Sequence, residues 1–289
     1  MTVNLTVCAR TDIGKRKTNE DAFVIADLTG DSLVDTSPIS RFEIGERGVL
    51  LAVSDGMGGH KAGEVASALV LESLRRSMAV GGALAAGALI ERAVEKANHD
   101  AWEAAQAPGR EGMGATVTAV FLDGATAYIA EVVDSRAYLL RGGHLVQVTH
   151  DQSYVQLLID SGALLPQDAA RAPFRNVILQ AMGQLPNVQV ALGKLDLRQR
   201  DCFLLCSDGL TNKVNPEEIA RTILAGPTLD AACDRLIGLA KERGGEDNIT
   251  AIVAGVSGDL PASAPGESVE HTFQIMREFT AALSGQKSA

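Results

Sequence analysis

Two apolar segments of the sequence run into the same tripeptide. Residues 49–53 and 202–206 are each followed by Ser-Asp-Gly, which places Asp55 and Asp208 immediately after an apolar strand. An isolated Asp in this position is usually a turn residue. The second occurrence in the same context instead indicates a role that the two carboxylates share.

Two other apolar segments are preceded by acidic residues. Glu20 and Asp21 stand directly before the segment that ends at Leu28, and Asp247 stands two residues before Ile249. In an antiparallel sheet, the end of one strand and the start of its neighbour lie at the same edge. We therefore expect these carboxylates at one rim of a sheet structure, together with Asp134, which follows a further β-branched segment.

Carboxylates gathered at one rim repel one another, at a cost of several kcal/mol unless cations neutralise them. Oxygen ligands suit Mg²⁺ or Mn²⁺, whereas zinc prefers His and Cys. Cys202 and Cys206 lie on one strand, about 13 Å apart at the usual rise per residue, and cannot chelate one ion. Gly56, directly after Asp55, lets the backbone approach an ion and offers its carbonyl as a ligand. The sequence thus predicts a magnesium or manganese site.

The elements that must position these residues follow from the hydrophobic pattern. Strands are predicted at 3–9, 22–28, 49–54, 115–122, 126–133, 137–141, 144–149, 201–206 and 249–256, and helices at 63–78, 83–106, 216–225 and 228–243. Asp-Gly and Gly-Gly turns between the central strands indicate antiparallel pairing. The continuous apolar strand 49–54 is expected to be buried on both faces. Residues 152–180 interrupt the pattern and predict an irregular flap.

The C-terminal part, 258–289, has a different character from residues 1–257. Residues 258–268 are rich in Pro, Ala, Ser and Gly and read as a linker. Beyond them, apolar residues recur every three or four positions from Val269 to Leu283, which predicts a short amphipathic tail helix. This helix either docks on its own domain or binds a partner. We expect deletion of the tail to leave the folded domain intact.

Composition narrows the class of protein. The chain has 289 residues, 46% of them hydrophobic and 21% charged, with a mean hydropathy of +0.09, as in a globular protein. Its net charge of −10 disfavours nucleic acids and anionic membranes as partners. Four scattered cysteines and no apolar stretch long enough for a span predict a cytoplasmic protein without disulfides or membrane segments.

Several short motifs occur together and in a fixed order. They are Arg16-x-x-Asn19-Glu-Asp-Ala22, Ser54-Asp-Gly-Met-Gly-Gly-His60, Gly114-Ala-Thr116, Asp134-Ser-Arg-Ala-Tyr138, the stretch 176–183, Ser207-Asp-Gly209 and Gly245-Glu-Asp-Asn-Ile-Thr250. In these motifs the chain resembles the metal-dependent Ser/Thr protein phosphatases of the type 2C, or PPM, family in their bacterial form. The resemblance covers roughly residues 3–257. One departure is Val133, which stands where the family usually has Gly before Asp-Ser-Arg.

The resemblance implies an α+β fold, a four-layer αββα sandwich with two central antiparallel sheets between helices. It also implies two Mg²⁺ or Mn²⁺ ions, with Asp55 bridging both. By the same resemblance, Asp208 and Asp247 hold one ion, and Glu20 with the Gly56 carbonyl holds the other. Asp134 with Asp208 would serve a third ion.

The implied reaction is hydrolysis of phosphoserine and phosphothreonine by direct attack of a metal-bridging water. In the resemblance, Asp21 orients that water and Arg16 holds the substrate phosphate. The implied substrates are phosphoproteins made by a cognate Ser/Thr kinase, and we expect a monomer. Two alternatives stay open, a non-catalytic regulatory or binding module on the same fold and a hydrolase of small phosphate esters.

Overall fold

The structure is a computed structural model that describes residues 2–34, 38–58, 62–82, 84–264 and 266–281. His60 of the Gly-rich motif and Leu283 of the predicted tail helix lie outside these residues. Within them, no helix combines the length and the apolar character needed to cross a membrane.

Strands dominate the described chain. In chain order they are β1 (Val3–Asp12), β2 (Asp21–Asp27), β3 (Ser32–Leu33), β4 (Ser40–Glu43), β5 (Val49–Met57), β6 (Gly114–Ala115), β7 (Val117–Asp123), β8 (Thr126–Val132), β9 (Arg136–Arg141), β10 (His144–Gln147), β11 (Ala191–Asp196), β12 (Cys202–Cys206), β13 (Ile249–Gly258) and β14 (Phe273–Arg277). The helices are α1 (Ala62–Val80), α2 (Ala86–Ala105), α3 (Tyr154–Asp160), α4 (Asp208–Thr211), α5 (Pro216–Ala225) and α6 (Leu229–Glu242).

The strands form two sheets, and the strand pairs are antiparallel. The first sheet has the order β10-β9-β12-β13-β1-β4. The second has the order β14-β11-β8-β7-β5-β2-β3, with β6 paired to the end of β5. The predicted strands around the acidic residues therefore all form, and they fall in both sheets.

Three apolar clusters hold four layers together. One lies between α1, α2 and the second sheet, one between the two sheets, and one between the first sheet and α5, α6. Strand β5 shows how the sequence builds this arrangement. Its Leu50 and Ala52 pack toward the helices, while Leu51 and Val53 pack between the sheets. The continuous apolar run is thus buried on both faces, and the predicted αββα sandwich is confirmed.

The flap region, 152–180, is irregular, as its sequence predicts. It contains the short helix α3 and a 3₁₀ turn at Pro166–Arg171. Ser153 caps α3 by accepting a hydrogen bond from the backbone N–H of Gln156 (3.2 Å). A single bridge between Ser153 and Ile178 closes the base of the flap.

The predicted tail helix is wrong over the described residues. Val269–His271 form one 3₁₀ turn, and β14 pairs with β11 at the edge of the second sheet. Strand β11, which the pattern analysis did not identify, presents an edge whose backbone groups need partners. Pairing to that edge and burial of Phe273 against Gly193 override the local helical spacing.

The predicted linker, 258–268, is held in place by several contacts. The backbone N–H of Asp259 donates to the Thr2 carbonyl (2.7 Å), and Leu260 is buried. Arg198 and Glu267 form an ion pair (2.8 Å). These contacts lead the chain along the edge of the sandwich to β14, so residues 266–281 complete the second sheet.

Candidate metal centre

Asp21 and Asp55 are register partners in the antiparallel pair of β2 and β5. The start of β2 and the end of β5 meet at one rim of the second sheet, as the sequence predicts. Thr116 fixes the backbone on the other side of β5, where its hydroxyl accepts from the N–H of Asp55 (2.9 Å). Its carbonyl accepts from the Ser54 hydroxyl (2.6 Å). The position of Asp55 is therefore set by three strands.

Glu20 is attached to the same rim through its backbone. Its carbonyl accepts from the N–H of Gly56 (3.1 Å) and from the Ser67 hydroxyl (2.6 Å) on α1. A Cβ on Gly56 would lie 2.1 Å from the Gly63 carbonyl oxygen and 2.7 Å from that of Glu20. Only Gly fits at position 56, because strand, helix and the acidic segment converge there.

Asp208 and Asp247 arrive from the first sheet. Asp208 follows β12 and Asp247 precedes β13, two neighbouring strands. Asn248 joins this pair to the Glu20 segment. Its side chain accepts from the N–H of Glu20 (2.8 Å) and donates to the carbonyls of Ile13 (2.9 Å) and Thr18 (3.0 Å). The two sheets thus contribute their acidic residues to one shared rim.

Arg16 is the cation of this rim. Its Nη2 donates to Oδ2 of Asp247 (2.7 Å), and its side chain is half-exposed. A cavity of about 350 Å³ opens beside it, lined by Lys15, Arg16, Lys17, Thr18, Glu20 and Asn248. A phosphate group that enters this cavity would meet three basic side chains next to the carboxylates.

Burial and mutual repulsion raise the pKa values of the carboxyl groups. Burial, opposed by hydrogen bonds from Ser207 and Thr250, raises the pKa of Asp21 to about 6. Burial and the nearby charge of Asp21 raise the pKa of Asp55 well above its ordinary range. The pKa of Asp208 is raised by burial and by the charge of Asp247. The three residues therefore act on one another, as a shared rim requires.

Two carboxylate oxygens test whether the rim suits a cation. Oδ1 of Asp21 and Oδ1 of Asp208 are buried and have no hydrogen-bond partner among the described residues. Buried oxygens of this kind cost about 1–3 kcal/mol each unless something pairs with them. In the described part of the chain, no three Asp, Glu, His or Cys side chains already form a complete metal cage. The donor set, all oxygen and partly unpaired, fits Mg²⁺ or Mn²⁺.

Asp134 lies near this group at the end of β8. Burial and the charge of Asp208 raise its pKa to about 7. The preceding residue, Val133, has a φ of +91°, a backbone conformation that favours glycine. Gln152 holds it there: its side-chain oxygen accepts from the N–H of Val133 (2.9 Å), and its own N–H donates to the Val133 carbonyl (2.7 Å). The chain thus keeps a glycine-type turn with Val in place.

Some residues that organise the rim were not predicted from the sequence. The Ser207 hydroxyl donates to Oδ2 of Asp21 (2.7 Å) and accepts from the N–H of Thr250 (3.0 Å), which links both sheets. Thr116 and Asn248 have the positioning roles described above. For Ser207 and Ser54 a signal existed, because both precede the repeated Asp-Gly.

A sandwich of this topology with an acidic rim at one end defines a phosphatase-type fold, and comparison with known proteins identifies the family. Residues 39–243 match the model of the protein phosphatase 2C family, and the chain belongs to that family. The matched segment contains Asp55, Asp134 and Asp208. Arg16, Glu20, Asp21 and Asp247 lie outside it.

Relatives of the chain carry phosphatase names. The chain is similar to the serine/threonine protein phosphatase PstP of Mycobacterium tuberculosis, with 41% identity over 210 residues, or 72% of this chain. The aligned region spans 40% of that relative's length. Similarity to the serine/threonine phosphatase stp of Listeria monocytogenes is 35% over 217 residues, which cover 73% of this chain and 86% of the relative.

A solved structure shows the same architecture. The crystal structure of the catalytic domain of PstP in complex with two manganese ions matches with a TM-score of 0.74 and 35% identity. The match covers 89% of this chain and all of that chain. At this identity the likeness extends beyond the fold to the sequence.

Proposed function

We propose that this protein is a Mg²⁺- or Mn²⁺-dependent Ser/Thr protein phosphatase whose substrates are phosphoproteins. The observation that carries the proposal is the set of buried carboxylates, with unpaired oxygens on Asp21 and Asp208, gathered from two sheets beside Arg16. Such a cluster is costly without cations, and a half-exposed Arg next to it suits a phosphate group.

The residues proposed to hold the ions are those at the rim. Asp55 would contact two ions, Asp208 and Asp247 one of them, and Glu20 with the Gly56 carbonyl the other. Asp134 with Asp208 would serve a third ion. Divalent ions bound there supply an activated water nucleophile and neutralise charge on the phosphate.

Arg16 is proposed to bind the substrate phosphate. Its guanidinium can donate two parallel hydrogen bonds to phosphate oxygens, which fixes the orientation of the ester as well as its position. In the structure one of its nitrogens is occupied by Asp247, and the side chain stays half-exposed. The rest of the fork is directed by the flexible stem of the residue, and Lys15 and Lys17 add positive charge around the same cavity.

Asp21 is proposed to orient the attacking water. Its Oδ2 is held by the Ser207 hydroxyl, and this leaves Oδ1 to accept a hydrogen bond from water. With a pKa near 6, the carboxyl is also suited to accept a proton at neutral pH. Asp21 would therefore act as a catalytic residue without itself being a ligand.

For the protein as a whole we propose phosphoserine and phosphothreonine in proteins as the substrates and a cognate Ser/Thr kinase as the opposing activity. A cytoplasmic location and a monomeric state, expected from the sequence, stay predictions. The proposal also distinguishes a protein phosphatase from a small-ester hydrolase, because the cavity beside Arg16 is open enough for a peptide backbone to pass.

The experiment that tests the function compares substrates on the full chain. Release of inorganic phosphate is measured from a phosphothreonine peptide, a phosphoserine peptide and a simple phosphomonoester, with Mn²⁺, with Mg²⁺ and with EDTA. We expect metal-dependent release, with a higher kcat/KM for the peptides. Preference for the simple ester would indicate a small-ester hydrolase, and no release with either metal would indicate a binding module.

A further inference from the structure

A second cavity lies away from the acidic rim. It has a volume of about 460 Å³ and is enclosed by β8, β11, β14 and the base of the flap around α3. None of the residues proposed to hold metal ions is among the described residues that line it. Cavities of this size commonly hold small ligands.

Glu131 is the buried polar residue of this cavity. It lies on β8, lines the cavity and is only 2% exposed. Its Oε2 accepts a hydrogen bond from the backbone N–H of His150 (2.8 Å). Its Oε1 is buried and has no hydrogen-bond partner in the part of the chain that the structure describes. A buried acceptor without a partner is rare, and it indicates a group that a ligand can satisfy.

Charged residues around the cavity are mostly acidic. The carboxylates are those of Glu131, Asp151, Asp160 and Glu278, and the basic groups are those of His150 and Arg277.

Most of these charges already have partners. Asp151 is paired with Arg136 (2.5 Å), Asp160 with His150 (2.8 Å), and Arg277 with Glu91. Within the described ranges, this leaves Glu131 inside the cavity and the exposed Glu278 without a paired cation. The unpaired charge of the lining is therefore negative.

The remaining lining is apolar. It includes Leu157 of the flap, Leu179, Leu192 of β11, and Phe273 and Ile275 of the tail strand. An apolar wall opposite a single buried carboxyl selects a ligand with a compact apolar body and one polar head.

We propose that this cavity binds a small organic cation, a primary ammonium on a compact apolar body, whose N–H donates to Oε1 of Glu131. An ammonium donor satisfies that oxygen whether or not the carboxyl carries a proton elsewhere, since Oε1 then acts as an acceptor in both states. The acidic lining favours a cation over a neutral or anionic ligand. The site is independent of the proposed phosphatase reaction.

The test uses three probes of nearly equal size and different charge. Benzylammonium, benzyl alcohol and phenylacetate are titrated into the ¹⁵N-labelled full chain, and the backbone amide signals of His150 and Gly193 are followed by NMR. We expect saturable shifts with benzylammonium, weaker binding of benzyl alcohol and none of phenylacetate. Equal affinity for the alcohol and the ammonium, or the absence of saturable shifts with the ammonium, would overturn the proposal.

Two variants locate the interaction. Glu131→Gln keeps the size of the side chain and an acceptor for His150 but presents an amide to the ligand, so benzylammonium should bind about tenfold more weakly or worse. The matched control, Glu278→Gln, changes an exposed carboxylate and should weaken binding by no more than about fivefold. Unchanged affinity in Glu131→Gln would overturn the proposal. If that variant does not fold, the comparison of the ammonium with the alcohol on the wild-type chain decides.

Discussion

Asp21 and Asp55 stand directly opposite each other in the register of β2 and β5, and each raises the cost of ionising the other. Strand pairing brings them together at the rim because one carboxylate starts its strand and the other ends its strand. The same principle brings Asp208 and Asp247 to the rim from the first sheet. An antiparallel sandwich can thus build an acidic cluster from residues far apart in the sequence.

Ser207 is predicted to stabilise the rim as well as to orient Asp21. Ser207→Ala removes the donor to Asp21 and the acceptor for the N–H of Thr250, so the free energy of unfolding should fall by about 1–3 kcal/mol. Urea denaturation measures the change. The control Ser161→Ala removes an exposed hydroxyl and should change stability by less than about 0.5 kcal/mol. Equal effects of the two substitutions would contradict the linking role of Ser207.

Val133 is predicted to carry backbone strain. Its φ of +91° costs a β-branched residue about 1–3 kcal/mol, which glycine does not pay. Val133→Gly should therefore destabilise the protein less than Val132→Gly does, by a similar amount, because both side chains are fully buried on neighbouring positions. Thermal or urea unfolding of the two variants provides the comparison. A larger loss for Val133→Gly would show that the turn is not strained.

How much of the site the sequence predicts depends on the kind of signal. The acidic residues flank strongly apolar strands, so both the strands and the convergence of their ends could be predicted. The conformation at Val133 could not, because it is imposed by Gln152, a residue of the flap that is distant in sequence. The metal roles of the acidic residues stay predictions.

The tail shows where local pattern fails. Residues from Val269 onward have helical spacing, yet the open edge of β11 determines their structure, and that edge is invisible in a local window. Strand β11 itself is short and contains Gly193 and Lys194, which weaken its strand signal. Deletion of residues 259–289, expected from the sequence to be harmless, is now expected to destabilise the second sheet.

Phe273 provides a sharper test of the tail strand. Its half-buried ring packs against Gly193 and the cluster between the sheets, so Phe273→Ala should cost about 2 kcal/mol of unfolding free energy. Gln274→Ala, at the adjacent exposed position, should cost less than about 0.5 kcal/mol. Urea denaturation of both variants measures this difference. A negligible effect of Phe273→Ala would mean that the tail does not complete the sheet in solution.

Glu131 is predicted to make stability depend on pH. Burial raises the pKa of this carboxyl well above its ordinary value of 4.5, so the folded protein holds a proton that the unfolded chain releases. The stabilisation is complete below that ordinary value and is lost as the pH rises through the pKa of the folded state. Relative to Glu131→Gln, the wild-type chain should lose up to about 1.4 kcal/mol per pH unit above about pH 5. Parallel unfolding curves at pH 5 and pH 8 would contradict the assignment.

The measurement that tests the central claim most directly is phosphate release from a phosphothreonine peptide by wild type, Asp208→Asn and Asp31→Asn. Asp31 is an exposed residue beyond the far end of β2, with a φ of +46° that Asn tolerates, so this substitution is the matched control. With Mn²⁺ we expect turnover by wild type and Asp31→Asn, a loss of at least about a hundredfold in kcat for Asp208→Asn, and none with EDTA. Turnover by Asp208→Asn equal to that of wild type, or turnover that persists in EDTA, would contradict a metal-dependent reaction at the acidic rim.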